Sequence, residues 1–152
     1  MTNSVQKIFE AKIESALPRV LSTLDREFNS KTFGCADRLF WCWKFIDFPG
    51  ARFQEIAYIL SSILSNSNLN KANIHTQALK DWLNATFQFW KKLQDSDGSF
   101  DEAYPSERSL AATSFTGFYV GQAYLDVLSN CNQSDFVDLR PTFEKLGNWL
   151  CN

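Results

Sequence analysis

The chain has 152 residues, 45% of them apolar and 15% aromatic, with a formal net charge of −2. A chain of that length and apolar share buries a sizeable core as one domain and is not a disordered polymer. The slight acidity excludes the basic footprint of a nucleic-acid binder, and no apolar run reaches the roughly 20 residues of a membrane-spanning helix. The opening Met1-Thr2-Asn3-Ser4-Val5-Gln6-Lys7 lacks the apolar stretch of a signal peptide, so a cytoplasmic location is expected unless a leader has been removed. Cys35, Cys42, Cys131 and Cys151 show no C-x₂-C spacing, and His75 is the single histidine. No metal or other cofactor is therefore expected, and the cysteines read as reduced core residues.

Val5, Ile8, Phe9, Ile13, Ala16, Leu17, Val20, Leu21 and Leu24 recur at three- and four-residue steps, which predicts a helix over about 4–25. Pro18 is expected to kink or divide it, because the ring removes one ladder hydrogen bond. Between residues 29 and 50 aromatics crowd around Asp37, Arg38, Lys44 and Asp47. A helix over about 36–45 fits there, closed by the Asp47-Phe48-Pro49-Gly50 turn. Phe53, Ile56, Ala57, Leu60, Ile63 and Leu64 predict a third helix over about 51–65, followed by the polar breaker 65–70. Leu79, Trp82, Leu83, Phe87, Trp90 and Leu93 predict a fourth over about 71–94, with the Trp82, Phe87 and Trp90 stripe in the core and His75 near a cap or on the surface. A fifth covers about 108–130, and its Gly117 and Gly121 allow a neighbouring helix to come close. A last helix covers about 139–151, with Pro141 tolerated in its first turn. No strand-like alternation competes, so the expected class is all-α, about six helices in antiparallel hairpins.

The connection from Gln94 to Ser109 holds five carboxylates, Arg108, Phe100 and Tyr104. Asp97-Gly98 and Tyr104-Pro105 mark two bends, and Ser106 is the expected cap of the helix that follows. A loop this much longer than the usual 4–6 residues is a functional candidate. If successive helices alternate in direction, the helices beginning near 51 and 108 run parallel and start at the same end. Asp37, Arg38, Trp41, Trp43, Lys44 and Asp47 then share a surface with Asp97, Phe100, Asp101, Glu102, Tyr104, Glu107 and Arg108. Helix N-termini favour anionic or hydroxyl-rich ligands, and aromatic faces beside carboxylates suit sugar rings.

Asp37-Arg38-Leu39-Phe40-Trp41-Cys42-Trp43-Lys44, with Asp47-Phe48-Pro49 and Gln54-Glu55, resembles a pattern of heparinase II/III-like proteins. The block Gln94-x₃-Gly98-Ser99-Phe100-Asp101-Glu102-x-Tyr104-Pro105-x-Glu107-x-Ser109 is similar to the next block of the same group. These are α/α-toroid relatives of polysaccharide lyases, some linked to bacterial surface-polysaccharide pathways. The two blocks span about residues 33–128. Gln94-x₃-Gly98-x-Phe100 is also similar to the repeat of terpene-cyclase toroids, in which Gln and an aromatic tie helix ends together. The resemblance implies the N-terminal half of a toroid, without the downstream catalytic region and β-sandwich of the lyases, and it carries no catalytic role onto His75.

Three functions follow as expectations. The first is a carbohydrate-associated half-toroid, binding an acidic oligosaccharide through Asp37, Arg38, Trp41, Lys44, Asp97, Phe100, Asp101, Glu102, Tyr104, Glu107 and Arg108 without catalysis of its own. The second is a lyase or glycoside hydrolase of acidic polysaccharides, with Asp101, Glu102 and Glu107 available as an acid/base pair. The third is a helical protein-interaction scaffold. For the 97–109 loop a structural clasp, with carboxylates on helix ends, Phe100 and Tyr104 packed between hairpins and Arg108 paired to Glu107 or Asp101, stands beside the ligand reading. An open half-toroid exposes apolar helix faces, so closure by a second copy or by a partner completing the ring is expected.

Overall fold

The structure, a computed structural model, describes residues 2–66, 69–70 and 74–152, with side chains from Lys7 onward. The described residues are all-α. Six helices, α1 Thr2–Leu21, α2 Arg38–Trp41, α3 Ile56–Ser65, α4 Thr76–Leu93, α5 Leu110–Asn130 and α6 Arg140–Cys151, are supplemented by 3₁₀ turns at Ala51–Glu55 and Gln133–Asp135.

Pro18 does not divide α1. Its ring removes one ladder bond close to the end of the helix, and its own carbonyl still accepts from Ser22 N at 3.0 Å. Leu17, Leu21 and Leu24 are buried, whereas Ile8, Phe9 and Ile13 stay exposed. Between α1 and α3 lies an apolar cavity of about 230 Å³, walled by Ile13, Leu17, Val20, Ile59 and Ile63.

α2 is four residues long, not the expected ten-residue stretch. After Trp41 the chain passes through Lys44 in the left-handed region (φ 55°), and Phe45 N returns to the Leu39 carbonyl at 2.9 Å. That is a helix-terminating curl, and it leaves Trp43 and Phe45 exposed. The expected helix over 51–65 opens instead as a 3₁₀ turn that points Gln54 inward. Of the expected helix over 71–94, residues 71–73 lie outside the described residues, as do residues 67 and 68 of the breaker; the described helix starts at Thr76. His75 caps it, with Nδ1 accepting from Gln77 N at 3.3 Å. Ser109, not Ser106, caps α5, its Oγ accepting from Ala112 N at 3.1 Å.

α3 and α5 run parallel, as Arg52 over Phe115, Tyr58 against Tyr119 and Ser61 bonded to Asp126 follow one another in order. α6 returns antiparallel to α5 along the two glycines. A Cβ at Gly117 would meet Leu146 at 2.8 Å, and one at Gly121 would meet Phe143 at 3.6 Å. The core between α3, α4, α5 and α6 centres on Trp90, with Phe100 stacked on it at 4.7 Å and Phe143 tilted against it at 5.2 Å. Phe87 is fully buried beside them. Trp82 packs at the edge of the core under the Arg26 guanidinium.

Candidate functional site

The parallel start of α3 and α5 does bring the two polar segments together, through backbone. Asp37 is fully buried. Its Oδ1 accepts from Leu39 N and Phe40 N, and its Oδ2 accepts from Gly50 N at 3.0 Å. One residue on, Ala51 N donates to the Asp101 carbonyl at 3.2 Å, and Arg52 pairs with Glu55 and with Glu102. Sequence reasoning passed over Arg52, although its position between the two polar segments was a signal.

Gln54 completes the seam. Its Oε1 accepts from Ala36 N at 2.8 Å, and its Nε2 donates to the carbonyls of Gly34 (2.8 Å) and Thr86 (3.4 Å). A fully buried glutamine that satisfies three backbone groups is a stitch between the 34–36 loop, the 3₁₀ turn and α4. An amide inside an apolar stripe is the signal that marks it.

The loop from 94 to 109 is a lattice of internal bonds. Gln94 Nε2 donates to the carbonyls of Gly98 (3.1 Å) and Thr142 (2.9 Å), tying the end of α4 to the start of α6. Phe100 is fully buried on Trp90, and its N–H donates to Thr113 Oγ1 at 2.9 Å. Gln94 and Phe100 thus link the end of α4 to the starts of α6 and α5. Asp101 accepts from Ser106 N (2.6 Å) and Arg108 N (2.8 Å), holding two residues whose φ angles, 64° and 53°, are left-handed. Glu107 accepts from Ala103 N and Glu102 N, and these bonds hold its carboxyl below the usual range. Ser99 Oγ and N–H, with Arg108 beyond them, do the same for Asp97. Arg108 pairs with Asp97 through Nε at 3.2 Å, not with Glu107 or Asp101 through its side chain. Tyr104, expected to pack between hairpins in the clasp reading, is 61% exposed.

The remaining predicted residues lie toward the end of α1. Trp41 Nε1 donates to the Thr23 carbonyl at 2.7 Å, and Arg38 reaches Ser22 Oγ at 3.4 Å. The Arg38 guanidinium stacks over Trp43 at 5.0 Å, with Lys44 exposed nearby. The predicted site thus divides into a buried seam (Asp37, Phe100), a rigid loop (Asp97, Asp101, Glu102, Tyr104, Glu107, Arg108) and a separate cationic–aromatic corner (Arg38, Trp41, Lys44).

Beside the rigid loop lies an open groove of about 580 Å³, walled by Asp97, Leu110, Asn148, Trp149, Leu150 and Asn152. Its lining brings together an aspartate, two asparagines and a tryptophan, and Arg108 pairs with the lining Asp97. Asn148, Trp149 and Asn152 were missed because some fifty residues separate them from Asp97 in the sequence, with no local pattern to join them. Among the described residues no cluster of His, Cys, Asp and Glu could hold a metal ion, and no helix is long and apolar enough to cross a membrane.

Compared with protein-family models, with curated proteins and with solved structures, the chain matches none.

Proposed function

We propose that this chain is a carbohydrate-associated half-toroid module of surface-polysaccharide metabolism that binds an acidic oligosaccharide and is not catalytic alone. The observation that carries the reading is the groove beside the 94–109 loop, where Asp97, Asn148, Asn152 and Trp149 converge. Indole faces take sugar rings, carboxylates and amides take hydroxyls, and Arg108 supplies a cation for a saccharide carboxylate. The absence of catalysis rests on the loop's acids. Asp101 and Glu107 are engaged with backbone N–H groups, Asp97 with Ser99 and Arg108, and the one histidine caps α4. In this reading further helices, from a second copy or a partner, complete the ring.

The test is thermal unfolding against a panel of acidic and neutral oligosaccharides. A saccharide at about 100 times its dissociation constant adds about 2.7 kcal/mol, which in a domain of this size is a shift of several degrees. The shift is expected with acidic members, is lost in Trp149→Ala and Arg108→Ala, and persists in Arg38→Ala. No shift across the panel, or a shift lost only in Arg38→Ala, removes the groove as the site.

A further inference from the structure

The solvent face of α5 carries an apolar seam. Ala111, Phe115, Phe118, Gln122, Leu125 and Ser129 are all exposed and follow one another at alternating steps of four and three residues. That spacing keeps them on one line along the helix and is the spacing with which two helices interlock. Phe115, Phe118 and Leu125 are 48, 60 and 56% exposed. The one charged residue of α5, Asp126, lies off the seam and accepts from Ser61 Oγ at 3.0 Å, while Arg52 of the 3₁₀ turn lies over the Phe115 ring at 4.5 Å at one end of it.

The order of side chains along the seam is nearly the same read in either direction. Two copies crossing antiparallel at the level of Val120 set Phe115 against Leu125, Phe118 beside Gln122, and the small Ala111 against the small Ser129. Phe115 matches Leu125 and Ala111 matches Ser129 in size, while the Gln122 amide lies beside Phe118, and each pair occurs twice as a two-fold contact requires. The α5–α6 groove next to Phe118, about 290 Å³ and lined by Gly117, Gly121, Leu125 and Phe143, offers a recess for the partner's phenyl ring. At about 200 Å² per large side chain, the three exposed apolar residues present roughly 330 Å². That is under half of the about 800 Å² per partner of a standard interface, so the contact is a small one.

We propose that a second copy of this chain docks on the α5 seam, forming an antiparallel two-fold dimer around Phe118. The inference is independent of the saccharide reading. Its test is mass by sedimentation equilibrium across the micromolar range. The expected result is a dimer whose dissociation constant rises at least about 30-fold in Phe118→Glu and in Leu125→Glu. Both side chains are solvent-facing, so helical circular dichroism stays unchanged, and Phe45→Glu, on an exposed residue away from the seam, leaves the dimer intact. Orientation is read from disulfide capture in a Cys42→Ser, Cys151→Ser background. Under mild oxidant, mixed Phe115→Cys and Leu125→Cys chains cross-link faster than either alone. A single-chain mass throughout, a dimer indifferent to both glutamates, or cross-linking no faster in the mixture overturns it.

Discussion

Asp95 is the residue at which the rigid loop stores a conflict. Its Oδ2 is buried with no donor, and burial, then the neighbouring Asp101 and Asp97 charges, push its carboxyl above the ordinary range. Ionised, neither Asp95 nor Asp101 can donate to the other; a proton on Asp95 creates the missing bond. The folded value lies above the unfolded one. The stability Asp95 contributes is therefore present at low pH and lost as pH rises through the folded value. Asp97 and Glu107 have the opposite sign, since their folded values are lowered, and what they contribute is lost as pH falls. Asp95→Asn keeps the shape and supplies a permanent donor toward Asp101. It is expected to raise stability at pH 7 by about 1 kcal/mol, the net worth of one hydrogen bond. The gain disappears in acid below the ordinary carboxylate range, where Asp95 is itself protonated in both the folded and the unfolded chain. Urea midpoints of the two proteins at both pH values check it, and a gain that persists in acid would assign the effect elsewhere.

At the scale of elements, legibility followed burial. α4 and α6 each present a stripe to the core, as Leu79, Leu83, Phe87 and Trp90 do in α4, so their periodicity was readable, although α4 starts at Thr76 and not near 71. α5 showed apolar residues on both faces, with Leu110, Phe115 and Phe118 exposed and Ala123, Tyr124 and Val127 buried. α2 was overread because Trp43 and Phe45 look like core residues in sequence yet stay exposed past the curl at Lys44. Gly34 and Gly98 were readable only as turns, whereas their structural task is contact. Gly98 has φ 103°, and a Cβ there would sit on the Lys145 carbonyl, so the loop lies flat on α6. Gly147, two residues further along that helix, has open space around it. Gly98→Ala is expected to cost about 3 kcal/mol or more, combining strain and collision. Gly147→Ala is expected to add up to about 1 kcal/mol of helix propensity. Chemical denaturation of the two variants separates them in sign, and a similar cost for both would mean that α6 is not held against the loop as described.

At the scale of the molecule, the segment 34–37 is where α1, the 3₁₀ turn and α4 meet. Gly34 N and the Cys35 carbonyl exchange bonds with the backbone of Asp25 at 2.9 and 2.8 Å, and Gln54 holds Gly34 and Ala36 from the other side. A Cβ at Gly34 would overlap the backbone of Ala85, so this junction also rests directly on α4. None of these partners is local, which is why the sequence showed the motif residues without the task that joins them. Cys35 is fully enclosed in the junction, and burial first, with the Asp37 and Asp25 charges adding to it, pushes its thiol up to about 12. Cys42 and Cys151 are exposed, and Cys131 is half-buried. A thiol reagent at mildly alkaline pH is therefore expected to label Cys42 and Cys151 at once and Cys131 more slowly. Cys35 must wait for an opening that returns it to water and to an ordinary thiol range near 8.5. Since freeing Cys35 requires breaking Gln54, Asp25 and Asp37 contacts on three elements, that opening is expected to be global. Its free energy and urea dependence should match those of unfolding followed by circular dichroism. A weaker urea dependence for Cys35 labelling would instead make 34–37 a locally opening loop, and α1 a segment that can detach while α3 to α6 remain packed.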